Sequence, residues 1–225
     1  MSEIEYSDTN NTAALDSAER QIAAKYMRMV PWGAVVWAFC NLAVWLSLWP
    51  LVLFEIMPLW LGFIIASINV ALCYLPSHEA QHNIIARRGQ PLRWLNELVG
   101  HISVIPLVQP YRVLRDTHME HHAHTNDPQL DPDYSVHAPS DFDFLIKSIK
   151  SRQPGSDADQ SYTDALQRVG KDNEIIDALV YALVHLGFLI SMAWSVYALE
   201  AALLWWLPRH IGLTYIQYYL SWAPH

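Results

Sequence analysis

Charge is scarce in this chain. Only 16% of its 225 residues are charged, where about a quarter is usual for a soluble domain. Cysteine is scarcer still: Cys40 and Cys73 are the only two, and both sit inside apolar runs. That placement reads as packing, and it excludes a disulfide framework or a cysteine-based zinc site. There is no surplus of Lys and Arg, and the formal net charge of −8 argues against nucleic acid as a partner. The first thirty residues start polar and acidic, with no basic region leading into an apolar core, so no cleavable signal peptide is evident. What the chain does have is hydrophobic sequence, 52% of it, with ten tryptophans. Its apolar runs approach the roughly twenty residues that cross a bilayer, which makes this a membrane protein.

The runs give an all-α, four-span reading. Residues 1–30 form a tail and an amphipathic helix, with residues 1–12 disordered and Leu15, Ala18, Ile22, Tyr26 and Met29 on one helical face. That helix suits the membrane surface or an ordinary soluble setting equally. Spans are expected at about 31–50, 59–75, 175–195 and 200–222 within a membrane domain covering 31–225. Pro50 and Pro58 bracket a turn that contains Glu55. Trp32, Trp49 and Trp60 fall near span ends, as interfacial anchors do. Residues 92–108 are apolar but broken by Asn96, Glu97, Gly100, His101 and Pro106, which predicts a re-entrant or interfacial segment. His101 reads as a structural histidine. A helix starts after Pro110. The polar stretch 125–174 carries turns at Asp127-Pro128, Asp131-Pro132 and Ala138-Pro139, a short helix from Ser140 and another at 161–169. The last two spans join somewhere between Trp194 and Arg209, with a break near Pro208, and His185 and Glu200 face the bundle interior. Every Lys and Arg except Arg209 then lies on one side of the membrane, which the positive-inside rule places in the cytoplasm.

The chain is organised around histidines. Six of its eleven fall in two short runs: His78-Glu79-Ala80-Gln81-His82 and His118-Met119-Glu120-His121-His122-Ala123-His124. Positions three and four apart share a helical face. His78 therefore aligns with His82, and His118 with His121 and His122, while His124 falls off that face. Imidazoles aimed into one space point to a metal. Ligand type alone leaves iron, zinc, copper or nickel open. Location narrows the choice, because a metal at the bilayer edge suits a lipid substrate. Attack on an unactivated C–H bond needs a redox metal and dioxygen, which zinc cannot supply. Asp116, Asp127 and Asp131, near the second run, are candidates to accept the outer N–H groups of ligand histidines. Two other readings compete. His78-Glu79-x-x-His82 also satisfies the zinc metalloprotease pattern, with Glu79 as base, but leaves the second run unused. A metal transporter would place its ligands near the membrane midplane, where only His185 lies.

The pair His78-x-x-x-His82 and His118-x-x-His121-His122, after a hydrophobic hairpin, resembles the first two histidine boxes of the membrane fatty acid desaturases. That superfamily also contains acyl hydroxylases and carotenoid hydroxylases and ketolases. Thr125-Asn126-Asp127-Pro128 and Asp131-Pro132-Asp133 fit the same pattern, and the likeness runs over residues 31–225. It implies an all-helical membrane fold, two non-haem irons held by histidines, dioxygen as co-substrate, a lipid acyl substrate, and an electron donor such as ferredoxin or cytochrome b5. By the same resemblance His225 matches an additional ligand of some members. The family's third box, another His-x-x-His-His, does not follow the last span. The expectation is therefore a truncated chain that folds but does not turn over substrate, with an inactive relative as the alternative. Desaturation, hydroxylation and ketolation are not separated by these residues.

Overall fold

The computed structural model describes residues 15–24, 29–87, 89–153 and 155–223. Tyr26 and His225 lie outside the described residues, as does the expected disorder of 1–12. All regular structure among the described residues is helical. Residues 15–24 form α1, with Leu15 and Ile22 exposed.

Two long helices make a hairpin: α2 (Trp32–Leu53) and α3 (Leu59–Gln81). Both run straight through a proline, Pro50 in α2 and Pro76 in α3. The turn between them passes through Glu55, whose φ is 60°. Inside the hairpin the side-chain amide of Asn41 donates to the Asn69 carbonyl at 3.1 Å, and that of Asn69 donates back to the Asn41 carbonyl at 3.1 Å. In an apolar layer such a pair satisfies its own polar groups and fixes the register of the two helices.

The next segment goes in and comes back. α4 (Arg93–Val104) packs against α3, and α5 (Tyr111–His124) returns. At 12 residues α4 is too short to cross a bilayer. Its far end meets the last helix instead. Trp205 Nε1 donates to the Pro106 carbonyl and Arg209 Nε to the Leu107 carbonyl, both at 2.8 Å. These bonds satisfy backbone groups that lipid could not. The interrupted apolar run thus folds as a short helix, a turn that meets the last helix, and a returning helix.

A 3-10 turn at Pro132–Val136, α6 (Asp141–Lys150) and α7 (Asp157–Arg168) then cover the histidine end of the bundle. Ser140 and Ser156 cap α6 and α7, accepting from Asp143 N and Asp159 N. The helix expected at 161–169 starts four residues earlier because Ser156 supplies that cap.

α8 (Ile175–Trp194) leads away to a turn at 195–197. The chain then returns as one continuous helix, α9. It comprises Ala198–Ala201, a π-helical stretch at Ala202–Trp206, Leu207–Ile216 and a second π-helical stretch at Gln217–Trp222. The break expected near Pro208 does not occur. The π stretch ends just before Pro208, so the wider turn absorbs the proline without ending the helix. The turn at 195–197 falls within the interval expected, Trp194 to Arg209, and Arg209 is part-buried within α9. α3 and α9 descend side by side, with Gly62 against Leu204 and Gly212 against the Val70 backbone. Among the described residues, three helices are long and apolar enough to cross a membrane: Trp32–Leu53, Leu59–Gln81 and Asp172–Trp194.

Candidate metal centre

The site forms where α3 ends beside the last turns of α5. Both helices stop on an asparagine in the left-handed region, Asn83 at φ 57° and Asn126 at φ 65°. At α3 the Asn83 N–H bonds the Ala80 carbonyl and the Ile84 N–H bonds the Glu79 carbonyl. This closure gives the last turn of α3, which carries His78 and His82, a fixed end.

A buried hub sets the distance between the helices. The Tyr111 hydroxyl, at the start of α5, donates to the Ala80 carbonyl at 2.9 Å, midway between His78 and His82. Asn96 of α4 donates to the same carbonyl at 2.9 Å and to the Tyr111 oxygen at 3.0 Å. Ser77 Oγ donates to the Gly100 carbonyl at 3.1 Å. The Tyr111 ring packs so closely against Gly100 that a Cβ there would stand 2.3 Å from a ring carbon. Of these residues, sequence reasoning singled out only Asn96 and Gly100, and only as interruptions of an apolar run. A polar residue and a glycine one turn apart in such a run were the available signal for a close helix contact.

Four histidines converge. His82 Nε2 and His118 Nε2 lie 3.0 Å apart, and so do His118 Nε2 and His122 Nε2. The His78 ring centre is 4.8 Å from that of His82 and 4.7 Å from that of His118. Ligand nitrogens of His78, His82 and His118 fall within 4.8 Å of one another. His121 turns its Nδ1 to Asp131 Oδ1 at 2.8 Å. Since a carboxylate only accepts, Nδ1 carries the hydrogen, and in the neutral imidazole Nε2 has the lone pair. Asp131 is itself held by the N–H groups of Asn126 and Asp133. The other candidates lie elsewhere. His124 faces Glu120 at 3.8 Å. His101 meets the Tyr181 hydroxyl at 3.3 Å. Asp116 pairs with Arg115 at 2.7 Å. Asp127 caps its own turn, accepting from the N–H groups of Gln129 and Leu130.

These residues fit a metal ion. Two nitrogens 3.0 Å apart, each about 2.1 Å from one ion, would subtend roughly a right angle there, a normal ligand spacing. The protonation states fit as well. Burial, then the neighbouring His78 and His122, push His118 down to about 2. Burial and His122 also lower His82. At neutral pH both imidazoles are unprotonated, as a metal ligand must be. His121 goes the other way, raised first by its bond to Asp131.

The profile of the fatty acid desaturase family matches residues 54–225. Among curated proteins, an sn-1 oleoyl-lipid 12-desaturase of Anabaena variabilis is 41% identical over 64 residues, 28% of this chain and 17% of that protein. A protein of the same name from Synechocystis sp. is 38% identical over 58 residues, 26% of this chain and 15% of that one. A zeaxanthin 4-ketolase of Chlamydomonas reinhardtii is 37% identical over 62 residues, 27% of this chain and 13% of the relative. The matches thus span less than a fifth of each relative's length. No solved structure matches. With the profile covering three quarters of the sequence, and with both histidine runs inside it, the chain belongs to the fatty acid desaturase family.

Proposed function

We propose that this protein is an oxygen-dependent oxidoreductase acting on a lipid acyl chain through histidine-held iron, with desaturation as its reaction. The observation that carries this reading is the convergence of His78, His82, His118 and His122 from two helices at the end of a membrane hairpin. Bound iron would supply, with dioxygen, the oxidising power to remove hydrogen from an unactivated C–H bond, which side chains alone lack.

The chain's own residues would do the rest. His78 and His82 are held on the last turn of α3, and His118, His121 and His122 on α5. Asp131 keeps the proton on His121 Nδ1 and so leaves Nε2 to bind. The Tyr111–Asn96–Ala80 hub keeps the two sets at ligand distance. In this reading α9 is a fourth span, the histidine end faces the cytoplasm, and an external donor such as ferredoxin or cytochrome b5 delivers electrons there. The substrate would reach the site from the membrane. Oxygen insertion, as in hydroxylation or ketolation, is the alternative outcome at the same site. The metalloprotease pattern at His78-Glu79-x-x-His82 finds no support in this family, since the second histidine run closes on the first.

The test is expression in a host lacking its own desaturase, with lipid profiling. The chain is tested alone and fused to the C-terminal part of the Anabaena variabilis relative. Unsaturated lipid from the fused form, lost on His118→Ala, is the expected result. Its absence from both forms would count against the reading.

A further inference from the structure

Away from the histidines, two part-buried arginines stand without a carboxylate partner. Arg152 lies just after α6 and Arg209 lies on α9, and among the described residues neither forms an ion pair. Arg152 is held by neutral acceptors only: the His210 carbonyl at 3.0 Å, Thr214 Oγ1 at 2.6 Å, Gln217 Oε1 at 3.1 Å and Ser148 Oγ. Its Nε is buried and has no partner. Arg209 donates Nε to the Leu107 carbonyl, while its two Nη groups bond no described residue. Burial, with Arg209 nearby, lowers the Arg152 pKa to about 10.

Both arginines line one polar cavity of about 220 Å³, together with Tyr74, Gln109, Tyr162 and Gln217. That is many times the roughly 10–15 Å³ that admits a single water. Two acids also line it, but each is already engaged. Asp133 accepts from Tyr162 Oη at 2.8 Å and from Ser221 Oγ at 3.0 Å. Asp159 accepts from the Gly155 N–H at 2.8 Å. Hydrogen bonding leaves both carboxylates charged, but neither lies within ion-pair distance of Arg152 or Arg209. A part-buried guanidinium without a close counter-charge is costly, and an anion between the two would reduce that cost.

Arg152 also lines a second space. An apolar groove of about 770 Å³ runs between α6 and α9, walled by Phe144, Leu145, Ile149, Trp206, Ile211 and Tyr215. All of these but Phe144 are exposed, on the same side as the apolar face of α6. A cavity holding two guanidinium groups outside any ion pair and an apolar groove meet at Arg152, which matches an amphiphile with an anionic head.

We propose that Arg152 and Arg209 bind the anionic headgroup of a membrane lipid whose acyl chain lies in the groove between α6 and α9. The site is separate from the histidines and does not rest on the proposed oxidation. Bidentate guanidinium contacts select phosphate, sulfate or carboxylate heads over neutral ones.

Native mass spectrometry of the purified chain in neutral detergent tests this, with phosphatidylglycerol, phosphatidylcholine or inorganic phosphate added. The expected result is retention of phosphatidylglycerol at least tenfold above phosphatidylcholine, with little displacement by millimolar phosphate. Arg209→Gln should abolish that preference, and Leu145→Asn should weaken retention of both lipids. Equal retention of the two lipids by the wild-type chain would overturn the proposal. So would full competition by inorganic phosphate, which would make the cavity a site for a free oxyanion. A monodisperse Arg209→Gln protein that keeps the preference would overturn it as well. If Arg209→Gln does not fold, the wild-type comparison decides alone.

Discussion

Gly100→Ala should disable the metal centre without touching a ligand. The new Cβ would meet three Tyr111 ring carbons, the nearest at 2.3 Å. Ordinary carbon contacts begin near 3.5 Å, so the ring would have to retreat by about 1.2 Å. Tyr111 is fully buried and has nowhere to go. Overpacking of this kind costs about 1–3 kcal/mol. Retreat also strains the hydroxyl bonds to the Ala80 carbonyl and Asn96, each worth roughly 1 kcal/mol. A total near 3 kcal/mol corresponds to a fall in Tm of roughly 6–12 °C. A displacement of about 1 Å between α3 and α5 would also spoil the 3.0 Å spacing of His82 and His118, so iron retention should fall with Tm. Tyr111→Phe is the control. It keeps the ring, and Asn96 still bonds the Ala80 carbonyl, so it should cost only about 1 kcal/mol. Gly100→Ala combined with Tyr111→Leu should recover part of the loss. The assay is thermal unfolding in detergent alongside elemental analysis. A Gly100→Ala protein melting within 1–2 °C of wild type with unchanged iron would refute the claim that this hub positions the histidines.

Three further outcomes follow from the same contacts. In metal-free protein the His121–Asp131 pair should shape stability against pH. Asp131 raises His121, so that contribution is full below the ordinary histidine pKa and fades as pH rises through the raised one. Burial opposes ionisation of Asp131, but His121 and the Asn126 and Asp133 N–H groups outweigh it and lower its pKa. Its contribution therefore fades as pH falls through that lowered value. Melting curves in chelator should peak between about pH 4 and 6.5, and Asp131→Asn should flatten the peak; an unchanged profile would remove the pair from consideration. Asn69→Ala should destabilise the α2–α3 hairpin by about 0.6–2 kcal/mol. Adding Asn41→Ala should cost little more, because the bonds are reciprocal; a fully additive double variant would contradict this. Gly212→Leu should separate α9 from α3, since a Cβ there already stands 3.1 Å from a Val70 side-chain carbon and 3.2 Å from its carbonyl carbon. Limited proteolysis between α8 and α9 should then accelerate, and an unchanged rate would show that the contact is not required.

Much of this was legible in the chain because helical periodicity is local. His78 with His82, and His118 with His122, needed only the i,i+4 rule. The meeting of the two sets could be inferred only from resemblance, since it depends on Tyr111, Asn96 and Ala80, contacts between residues far apart in sequence. Asp131 was one of three candidate acids, and sequence proximity could not separate it from Asp116 and Asp127. What distinguishes it is the turn at Asn126 that folds it back under His121. Prolines misled the reading of α9. Pro208 reads as a stop, but a π-helical turn before it carries the helix on. Pro76 likewise sits within α3, so the first histidine pair rides on the spanning helix itself. Arg209 marked the far bound of the interval in which the joining turn was expected, and the turn falls at its near end, at 195–197. Within α9 Arg209 is part-buried, and its Nε donates to the Leu107 carbonyl in the turn between α4 and α5.

The most direct test of the histidine cluster is the metal content of the purified chain from iron-replete cells, compared across single alanine variants. The expected result is iron in excess of zinc, lost in His82→Ala and His118→Ala and retained in His124→Ala. Tightly held zinc in place of iron, or iron that survives both His82→Ala and His118→Ala, would contradict the assignment of these histidines as the iron ligands.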